Sequence, residues 1–145
     1  MRQLFITTLL FFAAIHLNAQ QAQKPVDANK KGVASFYHDK FEGRRTATGE
    51  VFDNDKFTAA SNRLKLGAYV KVTNTQNGRV VYVRINDRMA AGNGRLIDLA
   101  SIAAEQLAFT SQGTAKVKVE LVPEQEGKMG ILAQKEIYAT PKNEL

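Results

Sequence analysis

The segment Arg79–Arg88, with the sequence RVVYVRINDR, decides the fold of this chain. Its central residues are β-branched or aromatic, as strands favour, and apolar side chains occupy both alternating faces. This pattern is typical of a strand that is buried on both sides, as in a small closed barrel. The preceding run Tyr69–Asn74 (YVKVTN) predicts a second strand. The Asn77-Gly78 turn signal between the two runs predicts a β-hairpin.

The second arm of this hairpin ends at Asp87, where the apolar pattern stops. An Asp at a strand end can be a solvated rim residue, a partner of Arg84 or Arg88, or a catalytic carboxylate. Glu50 lies beside a glycine and Asp98 ends an apolar run, where a structural role in bonding the backbone near a helix start is expected. Paired carboxylates suit glycosidic-bond chemistry. A chain with 14 acidic residues offers many such pairs, so the residues alone leave these interpretations open.

Outside the hairpin, the sequence predicts several short strands and one helix. The predicted strands are Gly32–Tyr37 and Lys116–Val122, with a short extended piece at Phe57–Ala60 and a brief strand or turn at Arg95–Leu99. The predicted helix covers Ser101–Phe109, with Ser101 as its N-cap. We therefore expect one mostly-β domain over residues 32–123, after a polar linker over residues 20–31. The tail, residues 124–145, can add a strand, pack as an amphipathic turn or stay loose.

Residues 1–19 have the features of a secretory signal peptide. A basic start precedes the uncharged apolar run Leu4–Ile15, and Ala19 stands before the expected cleavage site. Twelve apolar residues are too few to span a bilayer, so no membrane insertion is expected. The sequence thus predicts a protein that is exported to the periplasm and soluble there.

Charge and composition argue against several classes of function. Arg2 is the only charged residue of the expected signal peptide, so 19 basic and 14 acidic residues leave a net charge of +5. The basic residues are dispersed and the protein is expected to be exported, so nucleic acid is not an expected partner. The charge can attract an anionic envelope polymer or serve solubility alone. With no Cys, only His38 after residue 19 and no phosphate-binding loop, neither a metal nor another cofactor is expected.

Longer runs of the sequence resemble the rare lipoprotein A family of septal-ring lytic transglycosylases. They are GVASFYHDKFEGRRTATGEVFD (residues 32–53), FTAAS (57–61), the hairpin through VRINDR (64–88) and GRLIDLASIAAEQLAF (94–109). The resemblance implies a six-stranded double-psi β-barrel related to expansins. It also implies cleavage of the MurNAc–GlcNAc bond of peptidoglycan glycan strands to a 1,6-anhydro end. Division-site proteins are the further partners that it suggests.

By the same resemblance, Asp87 is the catalytic aspartate and Glu50 the active-site glutamate, while Ser61 stands where the family has a histidine. Asp87 is expected to protonate the bridging oxygen and then accept the C6 hydroxyl proton, with Glu50 favouring its protonated form. Substrate binding is expected at Ser61, Tyr37, Arg84 and Arg88. We expect Glu50, Ser61 and Asp87 to converge on one open groove. The loss of the histidine favours a different hypothesis, a non-catalytic glycan-binding or expansin-like wall-loosening module.

Overall fold

The computed structural model describes residues 29 to 140. The predicted signal peptide and residues 20–28 of the predicted linker therefore lie outside the described residues. The strands are β1 (Asn29–Phe36), β2 (Thr58–Ala60), β3 (Tyr69–Asn74), β4 (Val80–Asp87), β5 (Ile97–Leu99) and β6 (Ala115–Val122). The helices are α1 (Ser101–Gln106) and α2 (Glu124–Ala139), and a single 3₁₀ turn covers Asp39–Phe41.

The six strands close into a barrel in the order β1-β5-β2-β4-β3-β6. Two neighbouring pairs are parallel, β1 with β5 and β2 with β4, and the other four pairs are antiparallel. This arrangement confirms the predicted small, mostly-β double-psi barrel. The predicted β3–β4 hairpin is also confirmed, and Gly78 in its turn has the positive φ of 75° that glycine adopts without strain.

Along β3 and β4, every second side chain points into the barrel and fills its core. Val70, Val72, Val81, Val83 and Ile85 are fully buried, and the residues between them are partly exposed. Opposite faces of a strand alternate strictly, so one set of side chains forms the core and the other faces outward. The sequence suggested instead that this strand is buried on both faces; the outer face of β4 is only partly covered.

A β-bulge near the end of β4 interrupts that alternation. Ala59 of β2 pairs with Ile85, but Ala60 pairs with Asp87, so Asn86 is the extra residue. Without the bulge, Asp87 would follow Val83 and Ile85 onto the core face. With it, Asn86 is buried and Asp87 faces out of the barrel, since a bulge re-aims the side chains that follow it.

The domain boundaries differ from the prediction at both ends. Strand β1 begins at Asn29, and its first residues pair with β6, so the boundary expected at Gly32 falls within the strand. Backbone pairing needs no apolar side chains, which is why the polar residues of NKK gave no strand signal. The tail forms α2, a second helix that was not predicted. This helix docks through glycines and backbone hydrogen bonds rather than through a wide apolar stripe.

The predicted helix at residues 101–109 is present but shorter, and its cap differs. Ala100 occupies the N-cap position without a side-chain bond. The side-chain oxygen of Asn54 instead accepts from the Ser101 backbone N–H at 2.7 Å, and its carbonyl accepts from the N–H of Ile102 at 3.2 Å. A distant loop therefore satisfies the free N–H groups at the start of α1. Within residues 29–140, neither helix is both long and apolar enough to cross a bilayer.

Candidate functional site

An open groove with a volume of about 580 Å³ lies where β4 ends, and we call it the Asp87 groove. The groove is lined by four Phe and Tyr rings (Phe36, Tyr37, Phe41 and Phe52), two carboxylates (Asp87 and Asp98) and five Lys and Arg side chains (Lys40, Arg44, Arg45, Arg88 and Arg95). Tyr37 packs against Phe52 with 4.4 Å between ring centroids, and against Phe41 at 5.8 Å. Aromatic faces beside charged and polar groups suit sugar rings, which have apolar faces and hydroxyl edges.

Three donors surround the Asp87 carboxylate, and all three are uncharged. Its Oδ1 accepts from the backbone N–H of Ala47 at 2.9 Å and from that of Arg88 at 2.8 Å. Its Oδ2 accepts from the hydroxyl of Tyr37 at 2.7 Å. The carboxyl group is therefore fixed in direction while it remains in an open groove, as a group that exchanges a proton with a ligand must be.

The Tyr37 hydroxyl is a fixed donor in this arrangement. Burial raises its pKa well above the ordinary range, and the hydrogen bond to Asp87 and the charges of Asp87 and Asp98 raise it further. Tyr37 thus stays protonated at any physiological pH. The predicted substrate-binding residue is also a direct partner of Asp87, a role that its sequence position did not reveal.

A tight turn, Thr46–Glu50, connects the two predicted catalytic carboxylates. The N–H of Thr46 donates to the Glu50 carbonyl at 2.8 Å, and Gly49 closes the turn with a φ of +84°. The Ala47 N–H points at Asp87, while the Thr48 hydroxyl lies 3.0 Å from Oε1 of Glu50. The TATGE segment therefore positions one carboxylate by its backbone and carries the other.

Glu50 itself does not line the Asp87 groove. It lies in a second groove of about 480 Å³ between the barrel and α2, which we call the helix groove. The residues that line this groove include Glu50, Lys56, Tyr69, Arg84, Lys128, Ile131, Leu132 and Lys135. One guanidinium nitrogen of Arg84 contacts both carboxylate oxygens of Glu50. This ion pair holds the pKa of Glu50 below its usual range, with smaller contributions from Asn86 and Thr48.

Neither Arg84 nor Arg88, the two arginines expected to bind substrate, directs its guanidinium at Asp87. Arg84 pairs with Glu50, and Arg88 donates to the backbone carbonyls of Ser61 and Leu64. Arg88 still lines the Asp87 groove, where Arg84 does not.

Ser61 is close to Asp87 through the backbone only. Its N–H donates to the Asp87 carbonyl at 3.1 Å, but its hydroxyl is fully buried and donates to the Leu96 carbonyl at 2.8 Å. A ligand in either groove cannot reach this hydroxyl. The expected convergence of Glu50, Ser61 and Asp87 on one open groove is thus corrected. Ser61 follows β2 directly and is buried, and the turn carries Glu50 to the other groove.

The second carboxylate of the Asp87 groove is Asp98, for which a structural role was predicted. Asp98 accepts from Arg95 at 2.9 and 3.1 Å and from the Ser35 hydroxyl. The hydrogen bond to Asp98 raises the pKa of Arg95, so the guanidinium stays charged. The partners of Asp98 are therefore side chains, and not the backbone at the start of α1 as the sequence suggested. Proximity to Asp87 depends on β2, because its Ala60 pairs with Asp87 of β4 on one side and with Asp98 of β5 on the other, and no local sequence signal indicates this.

No metal centre is built by the part of the chain from residue 29 to residue 140. Within that range, no three side chains of His, Cys, Asp or Glu lie close enough together to hold an ion.

Comparison with known proteins places this geometry in context. The family model described as lytic transglycolase matches residues 29–119. The endolytic peptidoglycan transglycosylase RlpA of Pasteurella multocida is 41% identical over 116 residues, covering 79% of this chain and 40% of the relative. The protein of the same name from Neisseria meningitidis is 50% identical over 95 residues, covering 65% and 40%. The chain thus spans about two fifths of the length of these curated relatives.

Two solved structures share the fold. Streptomyces papain inhibitor superposes with a TM-score of 0.55 at 24% identity, covering 68% of this chain and 98% of the inhibitor. The apo form of an expansin from Clavibacter michiganensis superposes with a TM-score of 0.50 at 18% identity, covering 66% and 51%. At such low identity the likeness extends to the barrel alone.

Proposed function

The chain belongs to the lytic transglycolase family, and we propose that it cleaves the MurNAc–GlcNAc bond of peptidoglycan glycan strands, leaving 1,6-anhydro ends. The relatives at 41% and 50% identity bear the name of that activity. The observation that carries the proposal is the Asp87 carboxyl, held by three uncharged donors in an open groove lined by aromatic rings.

Asp87 performs both proton transfers of this reaction. As general acid, it donates a proton to the bridging oxygen while the C1–O bond breaks. The resulting carboxylate then accepts the proton of the C6 hydroxyl as that oxygen bonds to C1 and closes the anhydro ring. Donors from Ala47, Arg88 and Tyr37 stabilise the carboxylate that exists between the two transfers.

Glu50 supports this site from outside the groove. Because Arg84 holds it ionised, it anchors one end of the Thr46–Glu50 turn, whose Ala47 N–H binds Asp87. Its role is therefore to position the turn rather than to exchange protons. Binding at the cell wall after export and contact with division-site proteins belong to the same proposal, as does a periplasmic location after removal of residues 1–19.

Analysis of the products tests the proposal. Incubation of the purified chain with isolated peptidoglycan is expected to yield anhydro-ended fragments, which mass spectrometry distinguishes from hydrolysed, reducing ends by the mass of one water. Asp87→Asn is expected to abolish these products while glycan still co-sediments with the protein. Asp55→Asn makes the same chemical change at an exposed turn and is the matched control. Hydrolysed ends, or equal products from Asp87→Asn, would contradict the proposed role.

A second candidate function is a glycan-binding module without catalysis. The observation that favours it is position 61, where a buried serine stands in place of the expected family histidine and presents no group to the groove. Serine cannot carry a positive charge or supply a proton near neutral pH. Co-sedimentation with peptidoglycan in the absence of any anhydro product would establish this function instead.

A further inference from the structure

The helix groove carries a strong excess of positive charge. Four cationic side chains line it, Lys56, Arg84, Lys128 and Lys135, against the single carboxylate of Glu50, which leaves a net charge of +3. Lys56 lies 4.0 Å from Asp53, and Lys128 pairs with Glu124. Both pairs involve exposed side chains, so a ligand anion can replace either carboxylate at little cost. Lys135 forms no ion pair within residues 29–140.

Helical spacing aligns the contribution of α2 to this groove. Lys128, Ile131, Leu132 and Lys135 are separated by three, one and three residues, which places them on one stripe of the helix. The two lysines lie at the ends of the stripe and the two aliphatic side chains between them. Tyr69 adds a ring from the barrel wall. An apolar surface between cations suits a sugar ring that carries an acidic substituent.

The helix that carries this stripe is firmly seated. Cβ atoms added at Gly127 and Gly130 would lie 2.3 Å from Tyr69 and 2.5 Å from Tyr82, so only glycine allows this approach. Gln134 accepts from the Tyr82 N–H at 2.6 Å and donates to its carbonyl at 2.9 Å. The position of the stripe against the barrel is therefore fixed by the backbone of β4.

The two grooves adjoin along β4. Arg84 lines the helix groove and Asp87 the other groove, and three strand residues span about 10 Å. The Thr46–Glu50 turn contacts both carboxylates and lies between the grooves. A polymer bound at Asp87 can therefore continue into the helix groove without leaving the protein surface.

We propose that the helix groove is an anion-binding subsite that holds carboxylates of the glycan strand whose neighbouring sugars occupy the Asp87 groove. This inference rests on the proposed function. Two sources in peptidoglycan carry such carboxylates, the lactyl groups of MurNAc without stem peptides and the stem peptides themselves. Helix α2 lies beyond the family match at residues 29–119, so Lys128 and Lys135 are outside the matched region.

A charge-neutralising variant tests the subsite. The test variant combines three substitutions in the helix groove: Lys56→Gln, Lys128→Gln and Lys135→Gln. The matched control variant loses the same charge outside both grooves, through Lys31→Gln, Lys65→Gln and Lys116→Gln. Binding of peptide-free glycan, peptide-bearing glycan and a neutral chitin oligosaccharide is measured by fluorescence anisotropy. We expect the first variant to bind carboxylate-bearing glycan about tenfold more weakly than the control variant, since each exposed pair contributes modestly. High salt should remove the difference.

The choice of ligand distinguishes the two sources of carboxylate, and the pattern of losses distinguishes the anion-binding proposal from the catalytic one. A loss with peptide-free glycan assigns the lactyl carboxylates, and a loss confined to peptide-bearing glycan assigns the stems. Equal losses in both lysine variants, or an equal loss with the neutral oligosaccharide, would overturn the subsite. Anhydro products measured on the same preparations report the catalytic proposal independently, because they can appear whether or not the lysine variants differ in affinity.

Discussion

The Asp87 groove and the helix groove each contain a carboxylate bound to the same turn, but the partners of the two carboxylates differ. Asp87 has only uncharged donors, from two backbone N–H groups and a tyrosine hydroxyl. Glu50 has a guanidinium. Arg84 holds the pKa of Glu50 below its usual range, whereas Asp87 is oriented by its donors inside an open groove where a ligand can reach it. The difference teaches that residue type alone does not assign a role to a carboxylate, because two carboxylates on one turn differ in their partners and in their access to a ligand.

The sharpest way to break this comparison is to neutralise each carboxylate in turn. Asp87→Asn is expected to lower the rate of anhydro-product formation by a factor on the order of 10²–10⁴, the range for one positioned acid–base group. Glu50→Gln should lower this rate much less, because the substitution only loosens the Thr46–Glu50 turn. Rates are measured on isolated glycan under identical conditions. Equal losses in both variants would show that both carboxylates exchange protons.

The close packing of α2 against the barrel can be tested by substituting the glycines of this helix. In a free helix, Gly→Ala stabilises by roughly 0.5–1 kcal/mol. At Gly127 and Gly130 the added Cβ meets a tyrosine side chain at 2.3 and 2.5 Å, so we expect destabilisation by about 1–3 kcal/mol. Urea unfolding measures the change in the free energy of unfolding. Gly94→Ala is the control, since no atom lies within 4 Å of its added Cβ. An increase in stability at Gly127 or Gly130 would contradict this packing.

Removal of one uncharged donor sharpens the role assigned to the Asp87 groove. Tyr37→Phe deletes the hydroxyl that donates to Oδ2 and keeps the ring packing against Phe52. We expect the rate to fall about tenfold, the effect of roughly one hydrogen bond to a charged group. The loss should appear in kcat rather than KM and should change the pH profile of kcat. Tyr138→Phe, at a partly exposed tyrosine of α2 that lies outside the Asp87 groove, is the matched control. An unchanged kcat for Tyr37→Phe would remove this donor from the mechanism.

The smallest expected effect concerns the ion pair of the helix groove. Arg84 lowers the pKa of Glu50 from its usual value, so the ionised form stabilises the fold. This contribution is complete above the unfolded-state pKa of Glu and is lost as the pH falls through the lower folded-state pKa. Because 41% of the Glu50 side chain is exposed, we expect less than about 1 kcal/mol.

The measurement is the difference in unfolding free energy between the native chain and Glu50→Gln, at pH 7 and at strongly acidic pH. The difference should be present at pH 7 and vanish in acid. Glu136→Gln, at an exposed glutamate of α2, should show no such change. A Glu50→Gln difference that persists in acid would mean that packing, and not the ion pair, accounts for it.

The sequence by itself determined the barrel, and through the family resemblance it suggested which acid is catalytic. Alternating β-branched residues and an Asn-Gly turn define the β3–β4 hairpin, because these signals depend only on neighbours along the chain. The motif resemblance selected Asp87 and the TATGE turn, which the structure then brought into contact. The start of β1, the helix α2 and the Asn54 cap gave no such local signal.

Only the tertiary structure decided which side chains share a groove. The bulge at Asn86 turns Asp87 outward, and the pairing of β2 with both β4 and β5 brings Asp98 to the same groove. Ser61, directly after β2, is buried, and Arg84 holds Glu50 in the helix groove. Each of these placements depends on register between strands far apart in sequence. Register changes the face of a side chain with a shift of one residue, and no pattern within a single strand records it.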